Sequence, residues 1–433
     1  MQTYLKMSRE ELIKEKEELY AQFLNYKAEG LMLDMSRGKP SAEQLDLGMD
    51  LLNVLNSESI LITEDGVDCR NYGVNTGITE AKTLIAQMLD CRPEQVLIMG
   101  NSSLNVMYDS IARSFTHGIM GNTPWCRLDT IKFLCPVPGY DRHFGVTEHF
   151  GIEMISIPTD ENGPDMDMVE ELVSKDETIK GIWCIPKYSN PTGITYSDDV
   201  VRRFASLKPA AADFRIYWDN AYMVHDMFED RKDYLLNILD ECEKAGNPDI
   251  VFEFCSTSKV SFAGSGISAM ACSKVNCEDM ISHLAIQTIG HDKINQLRHV
   301  KYFGDRSGVD AHMQKQAALI RPKFEMVFNA LEEEIRPLEI ADWNVPNGGY
   351  FICFYGMPHT AKAIVALAKE AGLVMTPAGA PFPYGKDPED SVIRIAPTYP
   401  DLKELKLAVA IFIDCVKLAT VERLLKLKDG AGY

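Results

Sequence analysis

The chain has no cysteines paired as Cys-x-x-Cys, no excess of basic residues and no apolar run of membrane-spanning length. The first absence removes the usual ligand spacing of a zinc site, so no metal is expected. The second argues against a nucleic-acid partner. Lys and Arg number 44 against 63 Asp and Glu, a formal charge of −19, whereas phosphate backbones call for a basic surface. The third leaves no candidate membrane helix. Residues 1–29 carry charges throughout rather than an apolar signal core, and no internal repeat or low-complexity tract follows. The 11 cysteines are scattered, several within apolar runs such as Phe252-Glu253-Phe254-Cys255. They read as buried, reduced thiols, and the expected location is cytoplasmic.

What is present describes an enzyme-sized globular chain. With 433 residues, 46% apolar and 25% charged, it can bury a large core and make two or more domains. Ser8-Arg9-Glu10-Glu11 is a capping box, opening a helix that reaches roughly Ala28. Leu33–Pro40 reads as an extended connector. From about residue 78 a βα rhythm sets in, with short apolar runs at Gln95–Met99, Lys132–Cys135, Met154–Ile157, Gly181–Ile185, Ile216–Trp218 and Ile250–Cys255. Helical patterns at Ile78–Leu89, Leu104–Thr116, Ser197–Leu207 and Tyr234–Ala245 separate several of them. This predicts an α/β fold with a mostly parallel central sheet, its ligand-binding loops along one edge. Beyond a helix at Met313–Glu334 the pattern changes. Gly348–Phe354 and Val392–Ala396 read as strands, Ala361–Ala371 and Leu402–Leu425 as helices, and Lys428–Tyr433 as a loose tail. The expected division is a large domain over 51–312, with 1–50 and 313–433 forming a smaller α+β domain.

The chemistry gathers after the strands. Lys259, in Ser256-Thr257-Ser258-Lys259, follows the run 250–255 and precedes small residues. A lysine delivered to a strand end can hold an aldehyde cofactor as a Schiff base, although a solvated loop lysine is the plain alternative. Asp219 closes Ile216-Tyr217-Trp218-Asp219, where a carboxylate can keep a pyridine nitrogen protonated; a turn or helix-capping aspartate is the alternative. Tyr222 lies three residues on. Asn190-Pro191-Thr192-Gly193 is a turn by composition, and on its own it favours no more than that. Gly100-Asn101-Ser102-Ser103 stands between strand and helix, where backbone N–H groups and hydroxyls can cradle a phosphate or simply cap the helix. Arg394, inside an apolar strand, wants a carboxylate from the protein or from a substrate.

Together with Met35-Ser36-Arg37-Gly38-Lys39-Pro40 and Pro138-Gly139-Tyr140-Asp141-Arg142-His143-Phe144, these motifs resemble the fold-type-I, pyridoxal-phosphate-dependent class I aminotransferases over nearly the whole chain. The resemblance is closest to the subgroup Ic aspartate aminotransferases, also described as MocR-like or alanine–glyoxylate aminotransferase-like. It implies Lys259 as the Schiff-base lysine, Asp219 on the pyridinium nitrogen with His143 behind it, and Tyr140 stacked on the ring. Asn190 and Tyr222 would hold the ring oxygen. Asn101, Ser102, Ser103, Ser256 and Ser258 would share the phosphate with Tyr72 of a neighbouring subunit, which makes the expected assembly a homodimer with shared sites. Relatives carry a phosphate-binding arginine shortly after the lysine, but here that stretch is Gly264-Ser265-Gly266-Ile267.

Arg394 would clamp the substrate α-carboxylate, with Gly38 and Asn190 lining the pocket. Arg37 and Arg142 are the candidates for a distal carboxylate, Arg298 of the partner a third, and surface or interdomain ion pairs are the alternative for Arg37 and Arg142. The implied reaction is ping-pong transamination of aspartate with 2-oxoglutarate. Kynurenine, alanine or aromatic amino acids, and lyase chemistry on the same lysine, stay open. A regulatory domain lacking turnover is the non-enzyme rival.

Overall fold

The computed structural model describes residues 3–430. Its strands, in chain order, are β1 (Leu33–Asp34), β2 (Val96–Ile98), β3 (Lys132–Val137), β4 (Glu153–Pro158), β5 (Ile179–Cys184) and β6 (Arg215–Asp219). There follow β7 (Val251–Ser256), β8 (Ser268–Ala271), β9 (Asp342–Trp343), β10 (Ile352–Tyr355), β11 (Leu373–Val374) and β12 (Val392–Ile395). Seven form one sheet in the order β2-β8-β7-β6-β5-β3-β4. Neighbours from β7 through β4 are parallel, while β8 runs antiparallel to both β7 and β2. β2 therefore points the same way as β7, so the segments after β2, β3, β5, β6 and β7 all leave one edge of the sheet.

Alternation along the strands explains why both faces are covered. Ile216 and Trp218 of β6 pack into one core, with Val251 and Cys255 of β7. Tyr217, Phe252 and Phe254, one residue out of phase, pack into the core on the other face. Every residue of β5, β6 and β7 is buried, as expected for a sheet sandwiched between helices. β10 pairs antiparallel with β9 and β12 in a second sheet. That sheet shares a core with Leu12, Leu19 and Phe23 of the helix Arg9–Glu29 and with the helix Leu402–Lys428. The 29-residue helix Arg306–Glu334 serves both cores, through Val309 and Met313 at one end and Ile320 to Leu331 at the other.

Several boundaries differ from expectation for identifiable reasons. β8 has no counterpart in the sequence reading, because Ser-Ala-Met-Ala is short and lacks β-branched residues. The helix expected over 234–245 spans only Ile238–Lys244, since the Asn237 side chain accepts from Asp240 N–H and starts it there. The strand expected from Gly348 begins at Ile352, because Gly348 and Gly349 instead press against Tyr188, where a Cβ would overlap its side chain. The closing helix runs on through Lys428, and 431–433 of the expected tail lie outside the described residues. All 11 cysteines are free thiols; Cys126 is exposed, Cys91 partly so, and the others are buried. Among the described residues no helix is long and apolar enough to cross a membrane, and no His/Cys/Asp/Glu group could hold a metal.

Candidate active site

At the shared sheet edge, Lys259 enters a cleft of about 430 Å³ together with Tyr140, Asn190, Tyr222 and Arg394. Its Nζ lies 4.9 Å from the Tyr222 ring centroid and 5.9 Å from that of Tyr350. Burial lowers its pKa, Arg394 adds to the effect and Asp219 opposes it. This is no solvated loop lysine but an amine biased toward its neutral, nucleophilic form. Under it, His225 Nε2 sits 3.4 Å from the Lys259 carbonyl, and burial pushes that imidazole down to about 3, so it is neutral.

Asp219 is the last residue of β6 and is 2% exposed. Its Oδ2 lies 3.0 Å from His143 Nε2, while its Oδ1 is buried and has no protein partner. It caps no helix. A buried carboxylate oxygen without a donor calls for one, and a protonated pyridine nitrogen has the right chemistry. His143 is held in turn by Trp183, stacked at 4.4 Å and 13°, whose Nε1 donates to Thr147 Oγ1 at 2.8 Å. The Tyr140 ring meets His143 edge-on at 5.0 Å, and burial first, then Asp219, raises its phenol to about 12.

The glycine–hydroxyl loop opens the helix Ser103–His117, at whose start Ser102 makes no side-chain cap bond. Those first N–H groups and hydroxyls are available to an anion. Ser258 Oγ donates to the Asn101 carbonyl at 3.4 Å, and Ser256 Oγ to Ser258 Oγ at 3.1 Å, so the two loops form one cradle. Ile267 is 1% exposed, in the core. Arg298 reaches this region from its own chain, donating to Ser265 Oγ at 2.8 Å.

Arg394 comes from β12 of the other sheet and is 8% exposed. Nη1 is 3.1 Å from Asp141 Oδ1 and 3.2 Å from Asn190 Oδ1, and Nε is 3.3 Å from Thr376 Oγ1. The guanidinium lies over the Phe351 ring at 4.8 Å, and a Cβ at Gly38 would overlap that ring, which is why glycine is needed there. Arg37 and Arg142 line the same cleft, and neither guanidinium has a hydrogen bond or ion pair with a described residue. Neither the surface nor the interdomain ion pair offered as the alternative is present among the described residues. Tyr72 is elsewhere: 81% exposed, it stands beside Ile289, also exposed, whose carbonyl accepts from Gly73 N–H.

Sequence reasoning missed Thr376, Phe351, His225, the contact of Asp141 with Arg394, and Glu253. Thr376 adjoins the cleft because β1 pairs in parallel with β11, Leu33 with Leu373, and Phe351 because it leads into β10, which pairs with the strand of Arg394; no local spacing reveals either. Glu253 sits inside β7, 3% exposed, accepting from Asn220 Nδ2 at 2.9 Å next to Asp219. Burial raises its pKa from 4.5 to about 7.

The sign follows from linkage. Below the unfolded value Glu253 is neutral in both states and costs nothing. Between the two values the native state holds the extra proton, so stability falls as pH rises, and the loss is complete above about 7. Glu253→Gln should flatten the stability profile between pH 5 and 8 and gain about 3 kcal/mol at pH 8. Urea unfolding across that range measures it; an unchanged slope would contradict the assignment.

A family model described as aspartate amino-transferase matches residues 7–428. An aspartate aminotransferase of Corynebacterium glutamicum is 44% identical over 407 residues, 94% of each chain. A crystal structure of an aspartate transaminase from that organism aligns with a TM-score of 0.94 at 43% identity, covering 98% of this chain and 99% of the other. The fold alone is shared with α-aminoadipate aminotransferase from Thermus thermophilus, solved with N-(5'-phosphopyridoxyl)-L-leucine, at TM-score 0.71 and 18% identity over 94% and 95% of the chains.

Proposed function

Because the chain belongs to the aspartate aminotransferase family of class I, fold-type-I aminotransferases, we propose that it transaminates aspartate with 2-oxoglutarate using pyridoxal phosphate. The observation that carries this reading is the unpartnered Oδ1 of Asp219 in a site that also holds Lys259 and Arg394. Bound there, pyridoxal phosphate supplies an electron sink for the charge left when an amino acid loses its α-proton.

The chain's own residues do the rest. Lys259 would hold the cofactor covalently and, when released, its Nζ, whose pKa burial lowers, would take the α-proton and return it. Asp219, fixed through Oδ2 by His143, keeps a proton on the ring nitrogen with Oδ1. Tyr140 covers the ring, and Asn190 and Tyr222 hold its oxygen. Asn101, Ser102, Ser103, Ser256 and Ser258 bind the phosphate. Arg394 orients the α-carboxylate in a pocket lined by Gly38, which fixes the α-hydrogen relative to Lys259. Arg37 and Arg142 have charge to spare for a second carboxylate, which favours aspartate and 2-oxoglutarate over neutral side chains. Using one Arg394 for both substrates requires the first oxo acid to leave before the second enters, hence two half-reactions.

The division at 51–312 against 1–50 plus 313–433, and a cytoplasmic location, belong to the same proposal. So does a homodimer that brings Tyr72 to the neighbouring phosphate. Its support is the exposed pair Tyr72 and Ile289, brought together where Gly73 N–H donates to the Ile289 carbonyl, since adjoining exposed apolar side chains, unlike scattered ones, mark an interaction surface. Sedimentation at micromolar concentration should give twice the mass of one chain; a monomer with full activity would dismiss the shared site.

The half-reaction is the direct test. With L-aspartate alone, the cofactor-loaded protein should release about one oxaloacetate per chain and stop until 2-oxoglutarate is added. Lys259→Ala should release none. Continuous oxo-acid release without an acceptor would mean a lyase, and a burst only with another amino acid would overturn aspartate.

A further inference from the structure

The guanidinium reserved for the substrate is already occupied. Of the three oxygens around Arg394, those of Asn190 and Thr376 are neutral, and only Asp141 brings a charge. Asp141 is the sole carboxylate within ion-pair distance of Arg394 among the described residues, and Arg394 is its sole ion-pair partner. The pair is lopsided: the Arg394 side chain is 9% exposed and that of Asp141 36%.

We propose that Asp141 is an internal stand-in for the substrate carboxylate, a positioning residue that neutralises and aims Arg394 before substrate enters and must be displaced on binding. This rests on the reading of Arg394 as the α-carboxylate clamp. An arginine cannot shed its proton, and a buried one without an anion is costly, so the resting site needs a counter-charge. The substrate therefore exchanges one carboxylate for another rather than making a new pair, and affinity falls by that competition. The exchange also filters ligands. A weak small anion such as chloride cannot outcompete a carboxylate already seated at 3.1 Å, whereas a well-shaped organic acid can.

The fold gives Asp141 somewhere to go. It is the first residue of the helix Asp141–His149, whose N-terminal dipole favours a negative charge whether or not Arg394 is held. It also opens onto the part of the cleft where Arg37 and Arg142 stand without partners.

Succinate separates this from other roles, because it has carboxylates but no amino group and does not react. We would titrate the cofactor-loaded protein with succinate by calorimetry, with and without chloride. D141N keeps an oxygen for Nη1 and removes the charge; it should bind succinate about tenfold more tightly and become sensitive to chloride. D141S should move the same way, and D141E should return affinity toward the starting value. A mere structural role predicts weaker binding in D141N and D141S. Unchanged or weaker binding in variants whose unfolding temperature matches the parent overturns the proposal. R394Q is the separate control: if it binds succinate as well as the parent, Arg394 is not the clamp and the active-site reading fails, whatever Asp141 does.

Discussion

A buried hydrogen bond between Asp219 and His143 is the constraint on which the site depends. Both residues are 2% exposed, so the aspartate has left water and has to be compensated inside the protein. One oxygen receives the imidazole; the other is left without a donor. Everything close by reads as support for that half-finished arrangement. Trp183 stacks on the imidazole, Thr147 ties down Trp183 and donates to the His143 carbonyl, and Tyr140 meets the imidazole edge-on. A carboxylate held this rigidly, with one lone-pair site open, is prepared for a cation of fixed position rather than for solvent.

The sheet decides which groups share that environment. Parallel strands release their following segments at one edge, so residues from Asn101 to Lys259 meet there although some 160 positions separate them in the sequence. The second sheet supplies what the first lacks. Arg394 arrives from β12, and the extended segment carrying Gly38 is fixed by the short parallel pairing of β1 with β11. Gly38, Phe351 and Arg394 then stack in sequence, so a backbone position near the N-terminus sets the attitude of a guanidinium more than 350 residues later. The strands that carry Asp219 and Arg394 thus belong to different cores, joined by the helix Arg306–Glu334.

Much of this was legible in the residues because it depends on local pattern. The strands ending at Asp219 and just before Lys259 are apolar runs with few alternatives, and each motif follows a strand. The capping box at Ser8 formed as its spacing implies. What stayed hidden depends on distant partners. Ser268–Ala271 has no strand-like composition and is a strand because β2 and β7 leave a gap that it fills. Asp141 lies within a recognised motif, yet nothing in the sequence says that its carboxylate meets an arginine 253 positions away. Glu253 looks like an interruption of an apolar strand, and only the fold shows it sealed against Asn220.

The central claim is that the open oxygen of Asp219 exists to keep a pyridine nitrogen protonated. Nitrogen-15 NMR of the protein loaded with ring-labelled pyridoxal phosphate tests it most directly. The account predicts a protonated ring nitrogen at neutral pH, and its loss together with weaker cofactor binding in Asp219→Asn. An unprotonated nitrogen in the parent protein, or a signal indifferent to that substitution, would contradict it.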